Sequence, residues 1–313
     1  MKRIIFALLV SVLLFSCNSE ATREPRHVNI VAIGFSYEGV GNENVSELPV
    51  GPHEDAEAML AHLSFLSEKA GYEVESYHIT DRNGSIINND TGETMTAADL
   101  KSLLSSLSAD PWDLNIFYYS GHGAYTEDAG SLIILPEIKG LKLSDIAALL
   151  GKSGGKSIMI IDACQSGGSS PNDVGSGEAY VTDEDGVEHF VSISPSLAIG
   201  DAFRASFSVS RDYGDVYVLS ACTPHQYSYA GTEENPNSMF TSAMLGYLGY
   251  DASSGTSQLP KGKTVTFSSL YQNVLNRIMQ DTIELNIGVE EPIGDVQTPQ
   301  PTRIPTDLVL FRF

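Results

Sequence analysis

The chain has 313 residues, 42% hydrophobic and 19% charged, a globular composition long enough for one large core or two small ones. Forty acidic residues against 18 basic ones give a formal net charge of −22. A surface that negative repels nucleic-acid phosphates and anionic headgroups, which argues against a nucleic-acid partner and leaves the charge to solubility or to attracting cationic peptides.

Met1-Lys2-Arg3 supplies two positive charges, and Ile4 to Phe15 is almost wholly apolar. This is the pattern of a secretory signal segment, too short to span a hydrocarbon core of roughly 30 Å as a helix. Leu14-Phe15-Ser16-Cys17 resembles a bacterial lipobox, with Phe15 bulkier than the usual residue there. The resemblance implies a lipoprotein-type signal peptide over residues 1–16 and acylation of Cys17. It also implies export to a lipid-anchored position on the periplasmic or cell-surface side of a bacterial membrane. Residues 17–26 then read as a polar tether. Cys17, Cys164 and Cys222 are the only cysteines, so no disulfide framework is implied. No second apolar run of about 18 residues follows, so membrane contact is expected through the lipid anchor only.

His27 to Phe35 is β-branched and apolar and predicts a buried strand. Apolar residues three and four apart predict a helix over His53 to Ala70, ended by Gly71. A strand follows over Tyr72 to Ile79, then a Gly/Asn/Asp-rich loop from Asp81 to Thr94. Thr96 to Leu107 predicts a helix with Thr96 as N-cap and Asp99 three residues later. Leu114 to Tyr119 and Ser157 to Ile161 predict buried strands, with a short strand over Ser131 to Leu135 and a helix over Ser144 to Leu150 between them. Residues 168–213 show little periodicity and read largely as an exposed linker or insertion, with a hairpin allowed around Asp185-Gly186. Val216 to Ala221 predicts a fifth buried strand, Phe240 to Leu248 and Phe267 to Gln280 two helices, and Asp307 to Phe313 a terminal strand. Strands alternating with helices imply a largely parallel sheet covered on both faces, with functional residues at the carboxyl ends of its strands.

Two motifs stand at such ends. Tyr118-Tyr119-Ser120-Gly121-His122-Gly123-Ala124 follows the third strand, and Ile161-Asp162-Ala163-Cys164-Gln165-Ser166-Gly167-Gly168 follows the fourth. A thiol is weakly ionised at neutral pH; a neighbouring imidazole takes its proton and later returns one to a leaving amine. Gly121 and Gly123 allow close backbone approach. The amides of Gly123 and Cys164 are candidate oxyanion-hole donors. Gly151-Lys152-Ser153-Gly154-Gly155-Lys156-Ser157 is no phosphate loop, because the pattern needs a glycine where Leu150 stands.

Ser-Gly-His-Gly with Asp-Ala-Cys-Gln-Ser-Gly resembles the caspase, metacaspase and paracaspase family of cysteine peptidases. The separation of His122 from Cys164 is near the roughly 50 residues of caspases. Glu54-Asp55-Ala56 resembles the family's acidic-Ala pattern, Thr96 to Leu107 its second helix, and Ser220-Ala221-Cys222 its Ser-Ala/Gly-Cys stretch. The resemblance covers about residues 28–313. It implies a caspase-like three-layer α/β fold over residues 27–313, with a mostly parallel central sheet and helices on both faces. It also implies a cysteine endopeptidase with Cys164 as nucleophile, His122 as its partner, and peptides or proteins as substrates.

In metacaspase-like and paracaspase-like relatives an acidic residue two places before the cysteine lines the pocket for Arg or Lys. The resemblance therefore gives Asp162 a substrate-binding role, against the alternative that it orders the loop. Relatives often carry a further Asp after the Ser-Cys stretch, whereas Thr223 to Ala230 contains no carboxylate. The corresponding linker in relatives is often cut during activation. Arg204 and Arg211, the only Lys or Arg within residues 168–213, are the self-cleavage candidates, with an uncut insertion as the alternative. No cofactor is required by this chemistry, and no residues are assigned to a metal site. Some metacaspase-like enzymes bind calcium, and calcium activation stays open here although no EF-hand spacing is present. A catalytically silent lipoprotein that binds peptides or partners, and a transpeptidase using the same dyad, stay open as alternative functions.

Overall fold

The computed structural model describes residues 25–42, 45–107, 110–126, 130–163, 177–183, 188–193, 216–221, 231–285, 297, 299–301 and 308–313. The elements run in chain order as β1 (His27–Gly34), α1 (Pro52–Lys69), β2 (Glu73–Arg82), β3 (Ser85–Asn88), β4 (Glu93–Met95), α2 (Ala97–Ser106), β5 (Leu114–Gly121), β6 (Gly123–Thr126), β7 (Gly130–Leu135), β8 (Lys139–Lys142), α3 (Leu143–Gly151) and β9 (Lys156–Ala163). They continue as β10 (Gly177–Asp183), β11 (Glu188–Ile193), β12 (Val216–Ser220), α4 (Met239–Leu248), β13 (Tyr250–Asp251), β14 (Thr256–Ser257), β15 (Thr264–Thr266), α5 (Phe267–Leu285), β16 (Gln300–Pro301) and β17 (Val309–Arg312).

The main sheet has the order β16-β12-β9-β5-β1-β2-β3-β4. β12, β9, β5, β1 and β2 are mutually parallel, with antiparallel strands at both edges. Alternation along the parallel strands sends side chains to two separate cores. Val31, Ile33, Phe117, Tyr119, Met159 and Ile161 pack with α2, α3 and the strands β7 and β8. Ile30, Ala32, Ile116, Tyr118, Ile158 and Ile160 pack with α1, α4 and α5. Burial of each large apolar side chain contributes about 1.5–3 kcal/mol before chain entropy is subtracted. Helices on both faces of a mostly parallel sheet are the three-layer α/β fold that the strand and helix pattern implies.

Local signals account for the element ends. The α1 helix starts with Pro52 in its first turn, where the missing N–H costs nothing. Glu54 reaches back to accept the Gly51 N–H at 3.1 Å. In α2, Thr96 Oγ1 accepts the Asp99 N–H while Asp99 accepts the Thr96 N–H, a reciprocal cap. Gly34 allows α1 to close on the end of β1: a Cβ there would stand 1.9 Å from the Pro52 carbonyl oxygen.

One segment differs from the sequence expectation. The loop expected over Asp81 to Thr94 contains the strands β3 and β4. Asn83-Gly84, both at positive φ, forms the tight turn that pairs Arg82 with Ser85. Within residues 168–213, β10 and β11 form an antiparallel hairpin whose β10 runs parallel to β8. This is the hairpin allowed around Asp185-Gly186, and it extends a second, five-stranded sheet ordered β11-β10-β8-β7-β6; the rest of 168–213 lies outside the described residues.

Candidate active site

The parallel register of β5 and β9 sets Ser120 opposite Asp162 and Gly121 opposite Ala163. β5 and β9 are neighbours about 4.8 Å apart, and in sequence His122 follows the first and Cys164 the second. Cys164, Cys17, Cys222, Arg204 and Arg211 lie outside the described residues. His122, Gly123 and Asp162 are described.

His122 is buried, at 1% exposure. Its Nε2 lies 2.8 Å from the Ser46 carbonyl, which fixes Nε2 as the protonated nitrogen. Its Nδ1 is buried with no hydrogen-bond partner among the described residues, so a lone pair stands ready to take a proton. Burial pushes the imidazole down to about 4, opposed in part by the Ser46 bond. The ring is therefore neutral at pH 7, the form a general base needs.

The turn holding His122 is tight. Tyr119 Oη donates to the His122 carbonyl at 2.5 Å, and Ile134 N–H donates to the same oxygen at 3.1 Å. Gly121 has φ +152, and a Cβ there would come within 2.8 Å of Tyr119 Oη. Only glycine fits between the paired strand and the histidine. Gly123 opens β6 opposite Ile133.

Asp162 is fully buried on the α1/α4 face and accepts hydrogen bonds from the Ser238 and Thr241 hydroxyls. Asp55, in the first turn of α1, is equally buried and stands beside it. It accepts from Ser120 Oγ at 2.9 Å, Ser238 N–H at 2.9 Å and Asn237 Nδ2 at 3.1 Å. Burial first, and then the negative charge of Asp162, hold the Asp55 carboxyl well above the usual carboxylate range. Two carboxylates sharing one dry site cannot both ionise cheaply. The pair therefore favours holding a proton.

The sequence reading assigns Asp162 to substrate binding and gives no such role to Asp55, Ser120 or Ser46, which the structure sets beside Asp162 and His122. Asp55 and Ser120 left a trace in the acidic-Ala pattern and in the position two before His122. Ser46 contributes only a backbone carbonyl, which no side-chain pattern reports. Among the described residues no three His, Cys, Asp or Glu side chains converge as a metal site, and no helix is long and apolar enough to cross a membrane.

A peptidase family model described as a caspase domain matches residues 36–308. No curated protein matches the chain. Among solved structures, a point mutant of phosphofructokinase-2 from Escherichia coli aligns at 12% identity over 85% of this chain and 89% of that one. Its TM-score of 0.20 is too low to carry an argument.

Proposed function

The chain belongs to the caspase-domain family of peptidases, and on that premise we propose that it is a cysteine endopeptidase using Cys164 and His122 and cleaving after Arg or Lys. The observation that carries the reading is the His122 imidazole. It is buried, neutral and bonded on Nε2, and its Nδ1 has no partner among the described residues, at the end of the strand beside the one leading to Cys164. His122 Nδ1 takes the Cys164 Sγ proton, and the sulfur attacks the scissile carbonyl carbon. The Gly123 and Cys164 amides receive the oxyanion. The imidazolium protonates the departing amine, leaving a thioester. Water, deprotonated by the same Nδ1, then releases the acid and restores the thiol. The reaction requires no cofactor in this reading, and any calcium would act as an activator.

Asp162 and Asp55 supply the basic preference, because a guanidinium or ammonium entering their site would replace the shared proton and relieve the repulsion between them. Ser120 and the N-cap of α4, through Ser238, would orient the two carboxylates. We place the enzyme outside the cytoplasm, held to a membrane through acylated Cys17, where extracytoplasmic peptides or proteins are its substrates.

The test is labelling of protein lacking residues 1–17 with an Arg-terminated acyloxymethyl ketone, read by intact mass. One adduct on Cys164, absent in His122→Ala, is expected. An adduct from an Asp-terminated probe alone would keep the peptidase and discard basic preference. No adduct from either probe, with or without calcium, would replace the enzyme by a silent binding protein.

Self-processing is a further expectation of the same reading. Incubated protein should break after Arg204 or Arg211, and Cys164→Ala should stay intact. Mass spectrometry that finds an uncut wild-type chain, or cuts after acidic residues, would remove self-processing from the proposal.

A further inference from the structure

Behind His122 stands Tyr37, a buried residue just beyond β1 with φ +58. A bulky side chain seldom occupies that left-handed region, and such outliers persist only where the surroundings hold them. Here the holder is Asp81, buried near the end of β2. It accepts the Tyr37 N–H on Oδ2 at 2.8 Å and the Ser36 N–H on Oδ1 at 2.7 Å. His53 Nε2, from the first turn of α1, lies 2.7 Å from the same Oδ1.

The strained turn has three consequences at the site. It lays the Tyr37 ring against the His122 imidazole, with centroids 4.6 Å apart. It brings Tyr37 Oη to accept the His122 backbone N–H at 3.0 Å, within reach of the Ile134 carbonyl at 2.7 Å and the Tyr119 hydroxyl at 2.9 Å. It also starts the loop that returns Ser46 to Nε2. Leu48 N–H donates to the Ser36 carbonyl at 2.6 Å, and Gly39 N–H to Glu47 Oε1 at 2.9 Å. Ring face, backbone and Nε2 acceptor are thus all set from one turn.

We propose that Tyr37 is a positioning residue for His122, locked in its left-handed conformation by Asp81. The inference rests on His122 acting as the general base. A buried base with one free lone pair must be aimed, since displacement of a reacting group by about 1 Å costs roughly 10²-fold in rate. A purely structural tyrosine would pack the core and leave that aim unchanged.

Tyr37→Phe keeps the ring and removes the hydroxyl. In purified full chain, kcat on an Arg-terminated peptide should fall roughly 10- to 100-fold while KM moves less than about twofold. Followed by nitrogen NMR, His122 should titrate nearer the ordinary 6.5 than in wild type, because loosening the turn readmits water. Asp81→Asn should shift both readouts in the same direction and is read in the same way should Tyr37→Phe not fold. Unchanged kcat and an unchanged His122 titration, with only a lower Tm, would overturn the proposal. Wild-type protein that cleaves no peptide would defeat the peptidase reading alone. The NMR titration would then decide the clamp, an unmoved His122 overturning it and a moved one supporting it.

Discussion

His122→Ala is expected to lower kcat/KM on a peptide substrate by roughly 10²- to 10⁴-fold, the range of a lost general acid–base, and Cys164→Ala should leave no turnover. The size of the effect follows from the geometry. Burial keeps the imidazole neutral, the Ser46 carbonyl takes Nε2–H, and Nδ1 has no other partner among the described residues. Alanine also opens a small cavity under Tyr37, so Tm should drop by a few degrees. Circular dichroism shows whether the fold survives, and a folded His122→Ala that still cleaves within about tenfold of wild type would remove the histidine from the mechanism.

Asp162→Asn is expected to cut kcat/KM for Arg- and Lys-terminated peptides by roughly 10²- to 10³-fold, as when one partner of a desolvated charge pair is removed. Peptides with an uncharged residue there should change little. The asparagine oxygen still accepts from Ser238 and Thr241, so the packing of α4 against the sheet is retained. An Asp162→Asn protein with lowered Tm and unaltered preference would show that Asp162 only orders structure.

The same pair predicts a pH dependence with a definite sign. The folded pKa of Asp55 is raised above its ordinary 3.8 by burial and by Asp162. Its contribution to stability is therefore fully present below 3.8 and is lost as pH rises through the raised value. Ligand-free protein should lose Tm across that rise, and Asp55→Asn should flatten the curve. Affinity for a cationic peptide should move the opposite way, increasing as the shared proton becomes easier to displace.

Much of this molecule is written in local pattern. The β-branched runs at residues 27–35, 114–119 and 157–161 suit buried strands, because their apolar side chains point to both faces. Thr96 with Asp99 marks a helix start through two reciprocal hydrogen bonds that need no tertiary partner. The Asn83-Gly84 turn is equally local, but the polar residues around it read as a loop because β3 and β4 are only four and three residues long. The glycine-containing motifs around His122 and Cys164, following β5 and β9 in sequence, single out a candidate pair from residue type alone.

Sequence by itself therefore determined the main strands, the helices and the chemistry-bearing motifs, since side-chain period and backbone conformation act within a few residues. Tertiary structure decided what surrounds them. Asp55 accepts a hydrogen bond from Ser238, 183 positions away, and its raised pKa depends on Asp162, more than a hundred positions along the chain and beside it on the same face of the sheet. Tyr37 holds its unusual backbone because Asp81 on another strand binds it there. The aim of His122 and the charge state of the acidic pair come from parallel register and helix packing, long-range contacts whose energies leave no periodic mark in the chain.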